Sequence, residues 1–199
     1  MKPRFYSFPL AAALGLSLSS TPAFAQCGWR LLSVSLSPAN WYSVSFNPTN
    51  PNTIYAGGSL LAVSYDRGKA WSTLPIASAV RDVRMIIILP QDTTQLFIGG
   101  FSPGLWKSSD VGLTWRLVLP EVNFDGVSIV IDPLHPDTMH VGSYNKGFYS
   151  SYDRGENWFL VNSAIGVFCS MAIRPDSANV LLGGTRSGVV SKSRDYGRT

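Results

Sequence analysis

The stretch Ser151-Tyr152-Asp153-Arg154-Gly155-Glu156-Asn157-Trp158 decides the fold, because its pattern, S-x-D-x-G-x-x-W, recurs along the chain. The repeated residues are Ser64, Asp66, Gly68 and Trp71; Ser108, Asp110, Gly112 and Trp115; Ser151, Asp153, Gly155 and Trp158; and Ser193, Asp195 and Gly197. The aspartates are 44, 43 and 42 residues apart (66 to 110, 110 to 153 and 153 to 195). A period of this size predicts stacked units of four short strands.

Each residue of the motif suits a turn between two antiparallel strands. The aspartate can accept hydrogen bonds from backbone N–H groups that have no partner in the sheet. The glycine supplies a backbone conformation with positive φ, and the tryptophan packs between neighbouring sheets. We therefore expect these residues to be structural, rather than metal ligands or acid catalysts.

These copies resemble the Asp-box, or BNR, repeat of bacterial sialidases, xyloglucan-degrading glycosidases, sortilin-type ectodomains and photosystem II assembly factors. The resemblance covers nearly all of the chain after residue 26. It implies an all-β fold, a β-propeller of four-stranded antiparallel blades, here with about four repeats and therefore a partial propeller. It does not imply one function, because the repeat occurs in enzymes and in non-enzymes.

Residues 1–25 have the composition of a secretory signal peptide. Lys2 and Arg4 precede a short apolar run, and Ala23-Phe24-Ala25 is a small-x-small cleavage site. We expect cleavage after Ala25 and a secreted or periplasmic protein. No later stretch has the ~20 consecutive apolar residues of a membrane span, so no membrane insertion is expected.

Charge and cysteine content exclude several classes of partner. The net charge of +4 falls to +2 without Lys2 and Arg4, which is too low to indicate nucleic acid binding.

Cys27 precedes an outer strand of the repeat and Cys169 precedes an inner strand. These strands are about 14 Å apart across a blade, at ~4.8 Å per strand. A disulfide needs Cα atoms within ~7 Å, so we expect no bridge, although export makes one chemically possible. His135 and His140 lack a third ligand, and we expect polar, exposed roles for both and no metal or cofactor.

The repeat divides residues 26–199 into one domain of consecutive blades. Their expected bounds are about 41–74, 83–118, 126–161 and 168–199, with 29–32 as a spare outer strand. An incomplete arc of blades would expose an apolar face and should self-associate. The alternatives are that 29–32 closes the ring or that two chains pair.

Propellers bind ligands mostly at the mouth of the central channel, where one blade passes to the next. The segments expected there contain two carboxylates, Asp82 and Asp125, as candidate catalytic groups. The candidate ligand-binding residues beside them are Trp41, Tyr42, Arg81 and Arg84. Paired carboxylates about 5–9.5 Å apart could hydrolyse a glycosidic bond. The simpler interpretation is that Asp82 pairs with Arg84 and that Asp125 caps a turn.

Three functions follow from these features. The first is a secreted, non-catalytic module that binds a glycan or a protein partner at the channel mouth. The second is a glycoside hydrolase that uses Asp82 and Asp125. The third is a periplasmic or lumenal assembly factor that binds through a basic patch of Arg81, Arg84, Lys107 and Arg116.

Overall fold

The computed structural model describes residues 39–76, 79–101, 103–120, 122–124, 128–163 and 167–199. The expectations for the signal peptide, for Cys27, for the strand at 29–32 and for Asp125 concern residues outside these ranges. In the described part of the chain, no helix is long and apolar enough to cross a membrane.

The described residues form four antiparallel sheets, each built from strands that are consecutive in the chain. The first sheet contains β1 (Trp41–Phe46), β2 (Ile54–Gly58), β3 (Leu61–Ser64) and β4 (Ser72–Leu74). The second contains β5 (Met85–Ile88), β6 (Leu96–Gly99), β7 (Leu105–Ser108) and β8 (Arg116–Leu119). The third contains β9 (Ile129–Ile131), β10 (Met139–Gly142), β11 (Phe148–Ser151) and β12 (Phe159–Asn162). The fourth has three strands, β13 (Phe168–Ile173), β14 (Leu181–Thr185) and β15 (Val190–Ser193).

These sheets are the four blades of a β-propeller, which confirms the predicted all-β fold class. Strand order equals chain order in every sheet, so each strand pairs with the next through a short turn. We refer to the sheets as blades one to four. This arrangement is the one that a strict repeat of about 43 residues, with four short strands per period, predicts.

Apolar clusters fill the junctions between consecutive blades. Tyr55 and Leu61 of blade one pack with Ile86 and Ile98 of blade two. A second cluster joins blades two and three, and a third, built on Phe148, Phe168 and Leu181, joins blades three and four. Among the described residues, no cluster joins blades one and four.

Each S-x-D-x-G segment begins at the last residue of the third strand of its blade. The turns that follow share the same hydrogen bonds. In blade three, the N–H of Gly155 donates to Ser151 Oγ over 2.9 Å, and Ser151 Oγ donates to Asp153 Oδ1 over 2.8 Å. The N–H of Asn157 donates to the same carboxylate oxygen over 2.9 Å. The serine hydroxyl therefore accepts a hydrogen bond from the buried glycine N–H, and the aspartate carboxylate accepts those of the N–H groups nearer solvent.

The turn also needs a second residue with positive φ. Arg154 has φ of 59° and Gly155 has φ of 76°, and the equivalent pairs in the other blades share this geometry. Two consecutive residues of this kind match the twist of a tight hairpin. The hydrogen bond from Thr114 lowers the pKa of Asp110 to about 2, and the one from Thr199 does the same for Asp195.

Candidate ligand-binding surface

The blades have two different edges. At one edge the S-x-D-x-G turns contact the turns between the first and second strands, as in the 2.9 Å bond from Arg154 N to Asp137 O. At the other edge, which we call the handover edge, the ends of the second strands meet the segments that lead to the next blade. There Phe124 N donates to Gly100 O over 2.7 Å. The handover edge therefore lies away from the aspartate turns.

Glycines allow the backbones to approach closely at the handover edge. A Cβ atom on Gly100 would lie 1.6 Å from the carbonyl oxygen of Asp82. One on Gly58 would lie 1.7 Å from the carbonyl oxygen of Asn40. Only glycine fits at these two strand ends, because the backbone of the neighbouring segment lies directly against them.

Arg84 is held between two aromatic rings on this edge. Its guanidinium carbon lies 4.8 Å from the ring centroid of Tyr42 and 4.8 Å from that of Phe101. Tyr42 belongs to blade one, while Arg84 and Phe101 belong to blade two. Guanidinium groups stack on aromatic faces through cation–π attraction, so the contacts fix the side chain of Arg84 in one orientation.

Further contacts between aromatic rings and an arginine lie on blades three and four. The rings of Phe101 and Tyr144 lie 5.6 Å apart between centroids. The guanidinium carbon of Arg186 lies 5.9 Å from the ring of Tyr144, and its Nη1 donates to the Tyr144 hydroxyl over 3.1 Å. Tyr42, Arg84, Phe101, Tyr144 and Arg186 thus form a continuous arginine–aromatic row across all four blades.

The sequence analysis named part of this row. Tyr42 and Arg84 belong to it, and Asp82 lies beside it with Oδ2 4.0 Å from Arg84 Nη2. Trp41 is half-buried at the start of β1, and Arg81 is exposed before β5. The structure therefore brings together Tyr42, Asp82 and Arg84.

Three members of the row were missed, although the sequence contains a signal for them. Phe101, Tyr144 and Arg186 each follow the second strand of a blade. They are 43 and 42 residues apart (101 to 144 and 144 to 186), which is the repeat period. Large side chains at this position, in a turn that otherwise favours small residues, could have identified the surface.

The predicted basic patch is wrong, because Lys107 is not on the surface. Its side chain is 2% exposed, and its Nζ donates to Glu156 Oε1 over 2.6 Å and to the Arg154 carbonyl over 2.8 Å. Arg116 pairs with the other oxygen of Glu156. The bond from Lys107 lowers the pKa of Glu156, so this carboxylate stays ionised where blades two and three meet.

The prediction for His140 is also wrong, whereas His135 is exposed as expected. His140 is fully buried, its Nδ1 lies 2.7 Å from Ser150 Oγ, and its ring stacks on Phe148. Burial lowers the pKa of His140 to about 4. His135 faces solvent beside Asp132, with 69% of its side chain exposed. No group of three His, Cys, Asp or Glu side chains suited to a metal ion occurs among the described residues.

Two cavities lie near these surfaces. One of about 150 Å³ adjoins the row at Tyr144 and is also lined by Lys146, Asn145 and Ser163. Another, of about 190 Å³, lies against blade four, and its lining includes Phe148, Phe168 and Leu181. The smaller one extends the row with polar groups. The larger one offers apolar packing but no arrangement of catalytic groups.

No family model matches the sequence, and no curated protein is detectably similar to it. Solved structures are similar in fold. An ancestral GH74 enzyme superposes with a TM-score of 0.69 and 18% identity over 85% of this chain and 25% of that chain. The GH74 enzyme of Niastella koreensis gives 0.60 and 19% over 76% and 30%. YCF48 bound to D1 peptide gives 0.55 and 18% over 87% and 57%.

These similarities establish the fold and leave the activity open. The chain spans about a quarter of the ancestral GH74 enzyme and 57% of the YCF48 chain. Enzymes and a peptide-bound protein therefore share this blade architecture with it. A function for this chain has to be argued from its own surface.

Proposed function

We propose that this chain is a non-catalytic binding module that holds an extended, carboxylate-bearing peptide along the arginine–aromatic row. The observation that carries the proposal is the fixing of Arg84 between Tyr42 and Phe101. A guanidinium that is already oriented loses little entropy when it binds a carboxylate with two parallel hydrogen bonds. The composition of residues 1–25 supports export, so the partner would be met outside the cytoplasm.

The geometry of the rings favours a peptide over a neutral glycan. Sugars stack on aromatic faces that are open to solvent. The guanidinium of Arg84 covers a face of Tyr42 and of Phe101, and that of Arg186 lies over Tyr144. The surface therefore presents cationic groups with aromatic support, which suits anionic groups spaced along a chain.

Binding should be tested with an array of peptides that vary in acidic content, followed by titration of the best one. Arg84→Ala and Arg186→Ala should each weaken binding about 10-fold or more, because each removes a guanidinium that donates charged hydrogen bonds to a carboxylate. Arg174→Ala is the matched control, because Arg174 is an exposed arginine that pairs with Asp176 in the turn between β13 and β14. Equal weakening by all three variants would reduce the effect to net charge and contradict the proposal.

Glycoside hydrolysis is the second candidate. Asp82 faces the handover edge, is one-third exposed and lies 4.0 Å from Arg84, where it could reach a substrate. A panel of polysaccharides, with reducing-end release as the readout, tests this function. Release that Asp82→Asn abolishes would establish the hydrolase, and binding of a polysaccharide without release would establish a glycan module.

A further inference from the structure

Blade one exposes a surface that the other blades bury. Val44 and Phe46 in β1 are 65% and 61% exposed. The residues at the same places in β5 are Ile86 and Ile88, and they are 4% and 6% exposed. Ile86 and Ile88 pack against blade one through the cluster at that junction. The outer face of blade one therefore has the chemistry of a blade-to-blade contact.

Blade four exposes the complementary surface. Leu182 pairs with Lys192 in register as Phe97 pairs with Lys107, so the two residues are equivalent. Phe97 is fully buried against the next blade, whereas Leu182 is 43% exposed. Val190, which opens β15, is 75% exposed, whereas Phe148, which opens β11, is 2% exposed. The exposed face of blade four therefore corresponds to the face that blades two and three bury against the next blade.

We propose that blade four of one chain packs against blade one of a second copy, head to tail, as a further blade junction. The repeat itself argues for this occupant, because the second copy presents the same inner-strand face that blades two to four present to their predecessors. Val44 and Phe46 of the second copy would cover Leu182 and Val190 as Ile86 and Ile88 cover Tyr55 and Leu61. The two faces differ, so the contact is heterologous, and two chains that each use both faces form a ring.

The junction between blades two and three shows which polar pair such a contact contains. Lys107 reaches from blade two to Glu156 in the turn of blade three. Lys192 occupies the place of Lys107 in blade four, and Lys69, three residues after Asp66, occupies the place of Glu156 in blade one. Both lysines are exposed. Two like charges at this place weaken the contact without blocking its apolar part.

This register gives a substitution that should strengthen association. Lys69→Glu would restore at the new contact the pairing seen between Lys107 and Glu156. We expect the dissociation constant of the dimer to fall about 5-fold or more, since a well-placed pair of this kind contributes about 1 kcal/mol. Lys146→Glu is the matched control, because Lys146 is an exposed lysine at the handover edge and belongs to neither face.

Sedimentation of the full chain over a range of concentrations tests the proposal. Val44→Asp and Val190→Asp should each be monomeric, because each places a charge in one of the two faces. An equimolar mixture of the two should form dimers again, since each variant supplies the intact face that the other lacks, and this also shows that both are folded. Association of the unaltered chain, restored by the mixture and tightened by Lys69→Glu, supports the proposal.

Three results would overturn it. The first is that the unaltered chain stays monomeric at every concentration. The second is that the mixture of Val44→Asp and Val190→Asp fails to associate. The third is that the Lys69→Glu variant self-associates no more tightly than Lys146→Glu. The binding proposal at the arginine–aromatic row does not depend on these outcomes, because Arg84 and Arg186 lie outside both faces. Peptide titration of the monomeric Val190→Asp variant separates the two.

Discussion

Gly155 has two separate reasons to be glycine, and substitution by alanine can separate them. Its φ is 76°, and an added Cβ atom would lie 2.5 Å from Cζ of Phe97, a fully buried ring of the preceding blade. An alanine in the left-handed region costs about 1–2 kcal/mol. Forcing a buried ring aside costs about 1–3 kcal/mol more. Gly155→Ala should therefore lower the free energy of unfolding by about 2–5 kcal/mol.

Gly188 provides the matched control, because its φ is 81° and an added Cβ atom would meet nothing within 4 Å. Gly188→Ala should cost only the conformational part, about 1–2 kcal/mol. Urea unfolding followed by tryptophan fluorescence measures both variants. Phe97→Leu in the Gly155→Ala background should recover part of the loss by making room for the new methyl group. If the two alanine variants were equally stable, the contact with Phe97 would not be the reason for the glycine.

Five other variants test the turns and the buried polar groups. Asp153→Ala should cost about 1–3 kcal/mol, because it leaves backbone N–H groups unpaired, and Trp158→Ala about 3–5 kcal/mol, both measured by thermal unfolding; an unchanged melting temperature for Asp153→Ala would contradict the structural role. The pKa of His140 is lowered to about 4, so the folded state resists a proton that the unfolded state binds near its ordinary value of 6.5. His140 should account for about 3 kcal/mol of the stability lost between pH 6.5 and pH 4, in addition to what the turn aspartates lose as the pH nears 4. His140→Leu should lose that much less, and an equal fall in that variant would point to other groups. Glu156→Gln should destabilise the chain more than Lys107→Met, since it leaves the buried ammonium of Lys107 without its charge partner, and the reverse order in urea unfolding would argue against that pairing.

The fold could be predicted because it depends on a repeated local pattern. Ser151, Asp153, Gly155 and Trp158 form one turn within eight residues, and its recurrence fixes the length of a blade without knowledge of distant contacts. The left-handed conformation of Arg154 gave no sequence signal, because the neighbouring glycine alone explains a tight turn. Contacts with a residue distant in sequence accompany it, since the Arg154 N–H donates to the Asp137 carbonyl and the Arg154 Nε donates to the Asp137 carboxylate.

The candidate site could be predicted only where a residue stands out within its own segment. Tyr42 and Arg84 lie in segments expected at the channel mouth, whereas Tyr144 and Arg186 become meaningful only when blades are aligned and stacked. His140 shows the opposite difficulty. A histidine next to a polar turn suggests exposure, but its register places it where Phe97 lies in blade two, inside a junction.

Each apolar cluster lies between two consecutive blades. The packing of one blade therefore stabilises directly only the blades next to it. Such a molecule resembles a row of coupled units, in which loss of one end need not disturb the other. Of the residues that the structure describes, three are buried in the cluster between blades three and four, fewer than in either of the other two clusters. Amide hydrogens of β14 should therefore exchange with solvent through local opening well before those of β6, so that unfolding begins at blade four and proceeds inward.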